Sequence, residues 1–197
     1  MGLVNIIGAS GHAKAIIDLF PNKEHIAGIF DDDLQLEYVM GMRVTTPIPS
    51  TLPNEYPIII AIGSNQGRYK FANERFKNAQ FTTVIHESAL VSKSVSLGMG
   101  TIVMERVVVK VDSSIGDHVI LNTLASIDHD CKIEDFTHIA PGCTLCGNVQ
   151  VGQGTLVGAK SVILPNVKIG RWCVIGAGSV VHQDLEDGSR WIGNRKV

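Results

Sequence analysis

The chain has 197 residues, 45% of them hydrophobic, with 17 basic against 19 acidic side chains and a net charge of −2. That length supplies ample core for one or two domains, and the balance of charge gives no electrostatic reason to expect nucleic acid or an anionic membrane as partner. The N-terminus enters a hydrophobic strand with no basic run or long apolar segment before it, so neither a signal peptide nor a transmembrane helix is expected, and the expected location is cytoplasmic.

The first part of the chain alternates short apolar strands with helices. The periodicity predicts strands over Leu3 to Ile7, His25 to Phe30, Pro57 to Ile62 and Phe81 to Ile85, and helices over Gly11 to Phe20 and Gln66 to Lys77. This alternation implies a small parallel α/β layer, a half-Rossmann domain about half the size of a full dinucleotide-binding fold. Its expected span is residues 1–86.

Three loops follow the carboxyl ends of these strands, the edge at which such sheets bind ligands. Gly8-Ala9-Ser10-Gly11-His12 leads into the first helix, where free backbone N–H groups hold phosphate. With Ser10 and Ala13 in place of the second and third glycines of a dinucleotide fingerprint, the loop suits a mononucleotide better; a tight turn with no ligand is the plain alternative. Asp31-Asp32-Asp33 and Gly63-Ser64-Asn65 are the other two loops. Three successive carboxylates usually make a solvated turn, but beside a phosphate loop they suit the hydrogen bonds of a base or sugar. No metal site is expected, because no histidine or further carboxylate stands at a ligand-like spacing.

From Val91 the period changes. Sixteen aliphatic residues recur every six positions: Val91, Leu97, Val103, Val109, Ile115, Leu121, Ile127, Ile133, Ile139, Leu145, Val151, Val157, Ile163, Ile169, Ile175 and Val181. Four residues after most of these comes a small or β-branched residue, Thr101, Ser113, Ala125, Cys131, Thr137, Cys143, Thr155, Ser161, Cys173 or Ser179 among them. Residues two apart on a strand share a face, so each aliphatic and the small residue two before it line one interior. A six-residue unit is a strand plus a corner, and three make a coil of a triangular parallel β-helix, residues 87–197. Gly98, Gly116, Asn122, Asp130, Gly142, Gly152, Gly154, Gly158, Gly170 and Gly176 are expected to turn the corners through positive φ. Cys131, Cys143 and Cys173 fall on inward positions and read as small hydrophobes, and Cys146 falls at a corner, so Cys143 and Cys146 are not expected to form a redox or zinc half-site.

The segments IIGASGHAK, FDDD, AIGSN, VIHESALVS and SIDHDCKIEDFTHIAPG, in this order and followed by hexapeptide coils, are similar to those of the sialic-acid-acetyltransferase type of sugar O/N-acyltransferases. The resemblance covers nearly the whole chain. Within that family it points to bacterial enzymes that acetylate a nucleotide-linked 4-amino-4,6-dideoxy sugar, as in bacillosamine synthesis. It implies a left-handed β-helix, acetyl-CoA as donor, a nucleotide amino sugar, UDP-linked, on the N-terminal domain, and a homotrimer with active sites between subunits.

Matched residue by residue, the resemblance implies His129 as catalytic base with Asp130 as its acidic neighbour, and His138 at the thioester region of acetyl-CoA. It implies coenzyme contacts at Ala159 and Ala177, and contacts to the nucleotide sugar at Ser10, Gly11, His12, Asp31 and Asp32; Gly63, in the third loop at the same sheet edge, is expected to join that substrate site. Two departures stand out. Asp130 occupies a position where glutamate is usual, and Gly193-Asn194-Arg195-Lys196-Val197 stands in place of a Gly-Asn-Pro-Ala-Lys tail.

The register gives these positions a geometry. His129 lies two residues after inward Ile127, at a corner, and Gly147, 18 residues on, is expected directly over it with a backbone N–H for a developing oxyanion. Ala159 and Ala177 stack on a different edge, so a threefold assembly is what brings both edges to one ligand. His129 is the expected general base, with Asp130 or Asp128 orienting it. His25, His118 and His182 read as surface residues. Competing readings are O-acetylation of sialic acid or a related sugar hydroxyl, and a non-catalytic nucleotide-sugar-binding scaffold. The zinc carbonic anhydrases built on this solenoid space their histidines differently from His118, His129 and His138.

Overall fold

The computed structural model describes residues 2–52 and 56–197. The chain divides into two compact units, Met1–Thr82 and Thr83–Val197. Among the described residues no helix is long and apolar enough to cross a membrane.

The first unit is a five-stranded sheet in the order β3-β4-β2-β1-β5, built from β1 (Val4–Ile7), β2 (Ile26–Phe30), β3 (Tyr38–Val39), β4 (Met42–Thr45) and β5 (Ile58–Ile60). β1 pairs in parallel with both β2 and β5, and β2 with β4. Every residue of β1 and β5 is buried, the pattern of central parallel strands covered on both faces. The β3–β4 hairpin was not expected from sequence. The second helical segment is α-helical only over Asn65–Lys70 and continues as a π-helical turn, Phe71–Arg75.

The segment expected as one strand from Phe81 to Ile85 is split. Phe81 makes a single bridge to Ile58 in the first unit, whereas Val84–Ile85 pairs with Ile102–Val103 in the second. The backbone hydrogen bonds change partner over two residues: Thr82 N–H donates to Ile58 O, and Val84 N–H to Thr101 O.

The second unit is a β-helix of two-residue strands stacked into three parallel sheets, each residue pairing with the one 18 positions on, as Val109 does with Ile127 and Ile127 with Leu145. The 14 periodic aliphatics from Val103 to Val181 are each at most 3% exposed, and so are all ten small partners. The small residues also join the coils. Thr101, Ser113, Thr155 and Ser161 donate their hydroxyls to the carbonyls of Gly116, Asp128, Gly170 and Gly176, at 2.8–3.0 Å, and accept the N–H of the residue 18 positions on. The thiols of Cys131, Cys143 and Cys173 fill the same slot, aimed at carbonyls 3.0–3.2 Å away, and burial pushes their pKa up. All four cysteines are free.

The corners differ from expectation. Positive φ falls at every sixth residue from Gly100 to Gly178 without a break, on Arg106, His118, Leu124, Phe136, Lys160 and Trp172 as well as on glycine, asparagine and aspartate. Gly98, Gly116, Asn122, Gly152, Gly158, Gly170 and Gly176 are not in that conformation. What most of these glycines answer to is the next coil: a Cβ on Gly152 would stand 2.6 Å from the Gly170 backbone, and one on Gly158 2.6 Å from Ala177 N. One column of corner residues turns the chain, and another lets the backbones stack. His118 belongs to the turning column; it is 5% exposed and stacked on Phe136 at 5.1 Å, so it is not the surface residue expected.

The last coil is closed by Arg190–Ile192, which pairs in parallel with Val174–Ile175 and antiparallel with the terminal strand Arg195–Lys196. Trp191 is buried at this end, its indole N–H directed at Val180 O and Gly193 O.

Candidate active site

In the first unit, the three loops at the carboxyl edge of the sheet enclose a cavity of about 470 Å³. Ser10, Asp31, Asp32 and Gly63 line it, with Ile48 and Phe71 as apolar wall. Gly8 has to be glycine twice over, having a φ of 108° and a hypothetical Cβ 2.8 Å from Ala61 O. The carboxylates bind the loops together. Asp31 accepts the N–H of Ala9 at 2.7 Å and of Asp33 at 2.9 Å, joining the first loop to the second. Asp32 accepts Ile48 N–H and pairs with Arg75, and the Arg75 hydrogen bond holds its carboxyl below the usual range.

Gly11 opens the first helix, Gly11–Asp18, and His12 turns inward toward Gly63. Neither is in the cavity lining. Burial, with the Arg68 charge second, lowers the His12 pKa to about 4, so its imidazole is neutral at physiological pH. Arg68, 1% exposed, donates to the carbonyls of Ile62 and Gly63 and to Asn65 Oδ1, fixing the third loop from beneath. Sequence reasoning missed Arg68 because a helical arginine ordinarily signals an exposed face.

In the second unit, His129 stands at the corner between strands Ser126–Ile127 and Lys132–Ile133 with 56% of its side chain exposed. Its Nδ1 is 2.6 Å from Asp130 Oδ2, while Asp128 Oδ1 accepts the His129 backbone N–H at 2.9 Å. Asp130 therefore meets the ring and Asp128 holds the backbone. The Asp130 hydrogen bond, reinforced by the Asp128 charge, raises the His129 pKa. With Nδ1–H donated to the Asp130 carboxylate, Nε2 is the ring's proton-accepting atom. Gly147 lies against that side of the ring: a Cβ there would be 2.7 Å from Nε2. Its backbone N–H has no hydrogen-bond partner among the described residues.

His138 lies on a different sheet, on strand His138–Ile139, outward beside buried Ile139. Asn122 Oδ1 accepts Thr123 N–H at 2.8 Å, which turns its amide nitrogen to His138 Nε2 at 3.0 Å and puts the ring proton on Nδ1. Ala159 and Ala177 stand at the corner that follows this sheet. One chain thus gathers His129, Asp130 and Gly147 on one edge, and His138, Ala159 and Ala177 on or beside another. Among the described residues no group of three or more His, Cys, Asp or Glu side chains is arranged to hold a metal ion.

Residues 4–75 match the family model described as PglD N-terminal domain, and residues 148–183 match that described as bacterial transferase hexapeptide (six repeats). The crystal structure of PerB from Caulobacter crescentus, in complex with CoA and GDP-perosamine, is 36% identical with a TM-score of 0.91, covering 100% of this chain and 97% of that one. The chain belongs to the hexapeptide-repeat sugar N-acetyltransferases. Another member, the acetyltransferase domain of PglB from Neisseria gonorrhoeae FA1090, is 32% identical with a TM-score of 0.91 over 100% of this chain and 99% of that one. Among curated relatives, the UDP-N-acetylbacillosamine N-acetyltransferase of Bacillus subtilis is 35% identical over 110 residues, 51% of this chain. The chain spans about half the length of that relative and about a quarter of an uncharacterized mimivirus protein that it also matches.

Proposed function

We propose that this protein moves an acetyl group from acetyl-CoA to the 4-amino group of a nucleotide-linked 4-amino-4,6-dideoxy sugar, with His129 as general base. The observation that carries the reading is the exposed His129–Asp130 pair against a glycine backbone. Asp130 holds the Nδ1 proton, so Nε2 takes a proton from the sugar amine as the amine attacks the thioester carbonyl. The tetrahedral oxyanion is met by Gly147 N–H, and its collapse expels the coenzyme thiolate. His138 donates from Nδ1 at the thioester end.

In this reading residues 1–86 form the nucleotide-sugar domain, with Ser10, Gly11, His12, Asp31, Asp32 and Gly63 at its site, and residues 87–197 the acyltransferase domain, a left-handed coil with the coenzyme along Ala159 and Ala177. The enzyme is a cytoplasmic homotrimer. A trimer is supported by the two separate edges that carry the reacting groups and by surface chemistry. The outward residues of the sheet between those edges include Leu90, Val108, Val162 and Val180, whereas those of another sheet are Ser96, Ser114, Lys132, Gln150 and Lys168. An apolar outward face fits burial between copies.

Thiol release from acetyl-CoA, measured against UDP- and GDP-linked 4-amino-4,6-dideoxy sugars and sialic acid, tests the proposal. Turnover with an amino sugar, UDP-linked in this reading, and none with sialic acid is the expected result. Turnover with sialic acid alone, or nucleotide-sugar binding without thiol release, would refute it.

A further inference from the structure

His129 stands between two carboxylates, yet its ring meets only one. Nδ1 pairs with Asp130 Oδ2, while Asp128 turns back along the main chain and accepts the His129 N–H at Oδ1. What holds Asp128 there comes from the preceding coil. Val109 pairs with Ile127, which stacks Lys110 on Asp128, and the lysine Nζ stands 3.8 Å from the same Oδ1. One oxygen therefore faces two donors, a backbone amide and an ammonium.

The rest of this corner is tied to the coils on either side. Asp128 N–H donates to Leu145 O and Asp130 N–H to Val111 O, while His129 O accepts Asn148 N–H and Asp128 O accepts the Ser113 hydroxyl. The His129 N–H is held instead by the side chain of the residue before it. Asn122 holds Thr123 N–H in the same way at the previous corner, and there the far end of the side chain is aimed at an imidazole, that of His138. An unrestrained Asp128 has a second oxygen to offer His129 in like manner.

We propose that Lys110 is a positioning residue, which fixes the Asp128 carboxylate along the backbone of His129 and so leaves the ring to Asp130. The inference rests on the reading of His129 as the base. The groups that face the ring are few: Asp128 and Asp130 on its own corner, Lys110 from the coil before, and Gly147 from the coil after, flanked by the thiol of Cys146 and the amide of Asn148. The Asp130 hydrogen bond raises the His129 pKa most, the charges of both acids add to it, and the Lys110 charge opposes them. Loss of the lysine thus raises that pKa further, the reverse of losing either acid.

The test is the pH profile of thiol release by the full chain, beside an NMR titration of the His129 imidazole without ligands. In Lys110→Met the acidic limb of kcat/KM and the imidazole titration both move to higher pH. The plateau in kcat falls about two- to five-fold, the bias to be expected from a pair whose side chains are 58% and 38% exposed. Lys110→Arg restores both. Asp128→Asn in the Lys110→Met background restores kcat as well, because asparagine keeps Oδ1 for the His129 N–H but has only a donor to turn toward Nδ1–H. A Lys110→Met profile and titration that superpose on the wild type, or an Asp128→Asn substitution that restores nothing, would overturn the role of Lys110 and leave His129 as the base. Wild-type protein that releases no thiol with any acceptor would overturn the reading of the base, and the imidazole titration alone would still decide whether Lys110 acts on the ring.

Discussion

Gly147 and His129, one coil apart, share a contact that leaves no room for a side chain: a methyl group at residue 147 would stand 2.6 Å from Cε1 of the imidazole. Substituting Gly147→Ala therefore displaces the ring, while the position itself, outside the positive-φ column, tolerates alanine. We expect kcat to fall on the order of 10²-fold from misplacement of the base, with the thermal transition nearly unchanged. Steady-state kinetics beside a melting curve checks both halves, and full turnover would remove Gly147 from the site.

His129→Ala removes the proposed base outright. The expected loss in kcat is on the order of 10² to 10⁴, with acetyl-CoA affinity nearly intact because the proposed coenzyme contacts, Ala159 and Ala177, lie along another edge. Single-turnover rates and coenzyme titration separate the two effects.

The pH dependence has a definite sign. Asp130 raises the His129 pKa, and only the neutral ring accepts a proton, so activity rises with pH as the imidazolium deprotonates. Asp130→Asn removes that carboxylate, and the acidic limb of the kcat/KM profile moves to lower pH while the plateau drops. An acidic limb that stays in place would assign it to another group.

The two glycine columns predict opposite stability effects. Gly152→Ala drives a methyl into the Gly170 backbone and is expected to cost about 1–3 kcal/mol. Lys160→Gly relieves an exposed L-residue held at a φ of 58° and is expected to be neutral or to stabilise by up to about 1 kcal/mol. Equilibrium denaturation of the pair measures both.

The solenoid was legible because its burial pattern repeats faster than chance interrupts it: every sixth residue from Val103 to Val181 is a buried aliphatic, as the six-residue register requires. The corners were not legible in the same way. Arg106, Leu124 and Trp172 carry no local preference for positive φ; closure of the triangular coil imposes it, and the hydrogen bonds to neighbouring coils hold it. Gly98 and Gly152 misled for the complementary reason, being glycines selected by proximity and not by dihedral angle. At the site, the spacing placed His129 at a corner with Gly147 over it, but choosing between Asp128 and Asp130 took side-chain coordinates. Arg68 and the Tyr38–Thr45 hairpin left no periodic signal, since one acts through burial of a single side chain and the other through strands of two and four residues.

A stack of parallel strands has no intrinsic length, and its open end is a template for any further segment of the right width. Here the indole of Trp191 plugs the interior and the reversed strand Arg195–Lys196 takes up the exposed edge with the wrong polarity for another turn. Truncation after Gly188 would expose that end, and the product to expect is end-to-end polymer, because the same backbone groups that register one coil on the next do not distinguish between molecules.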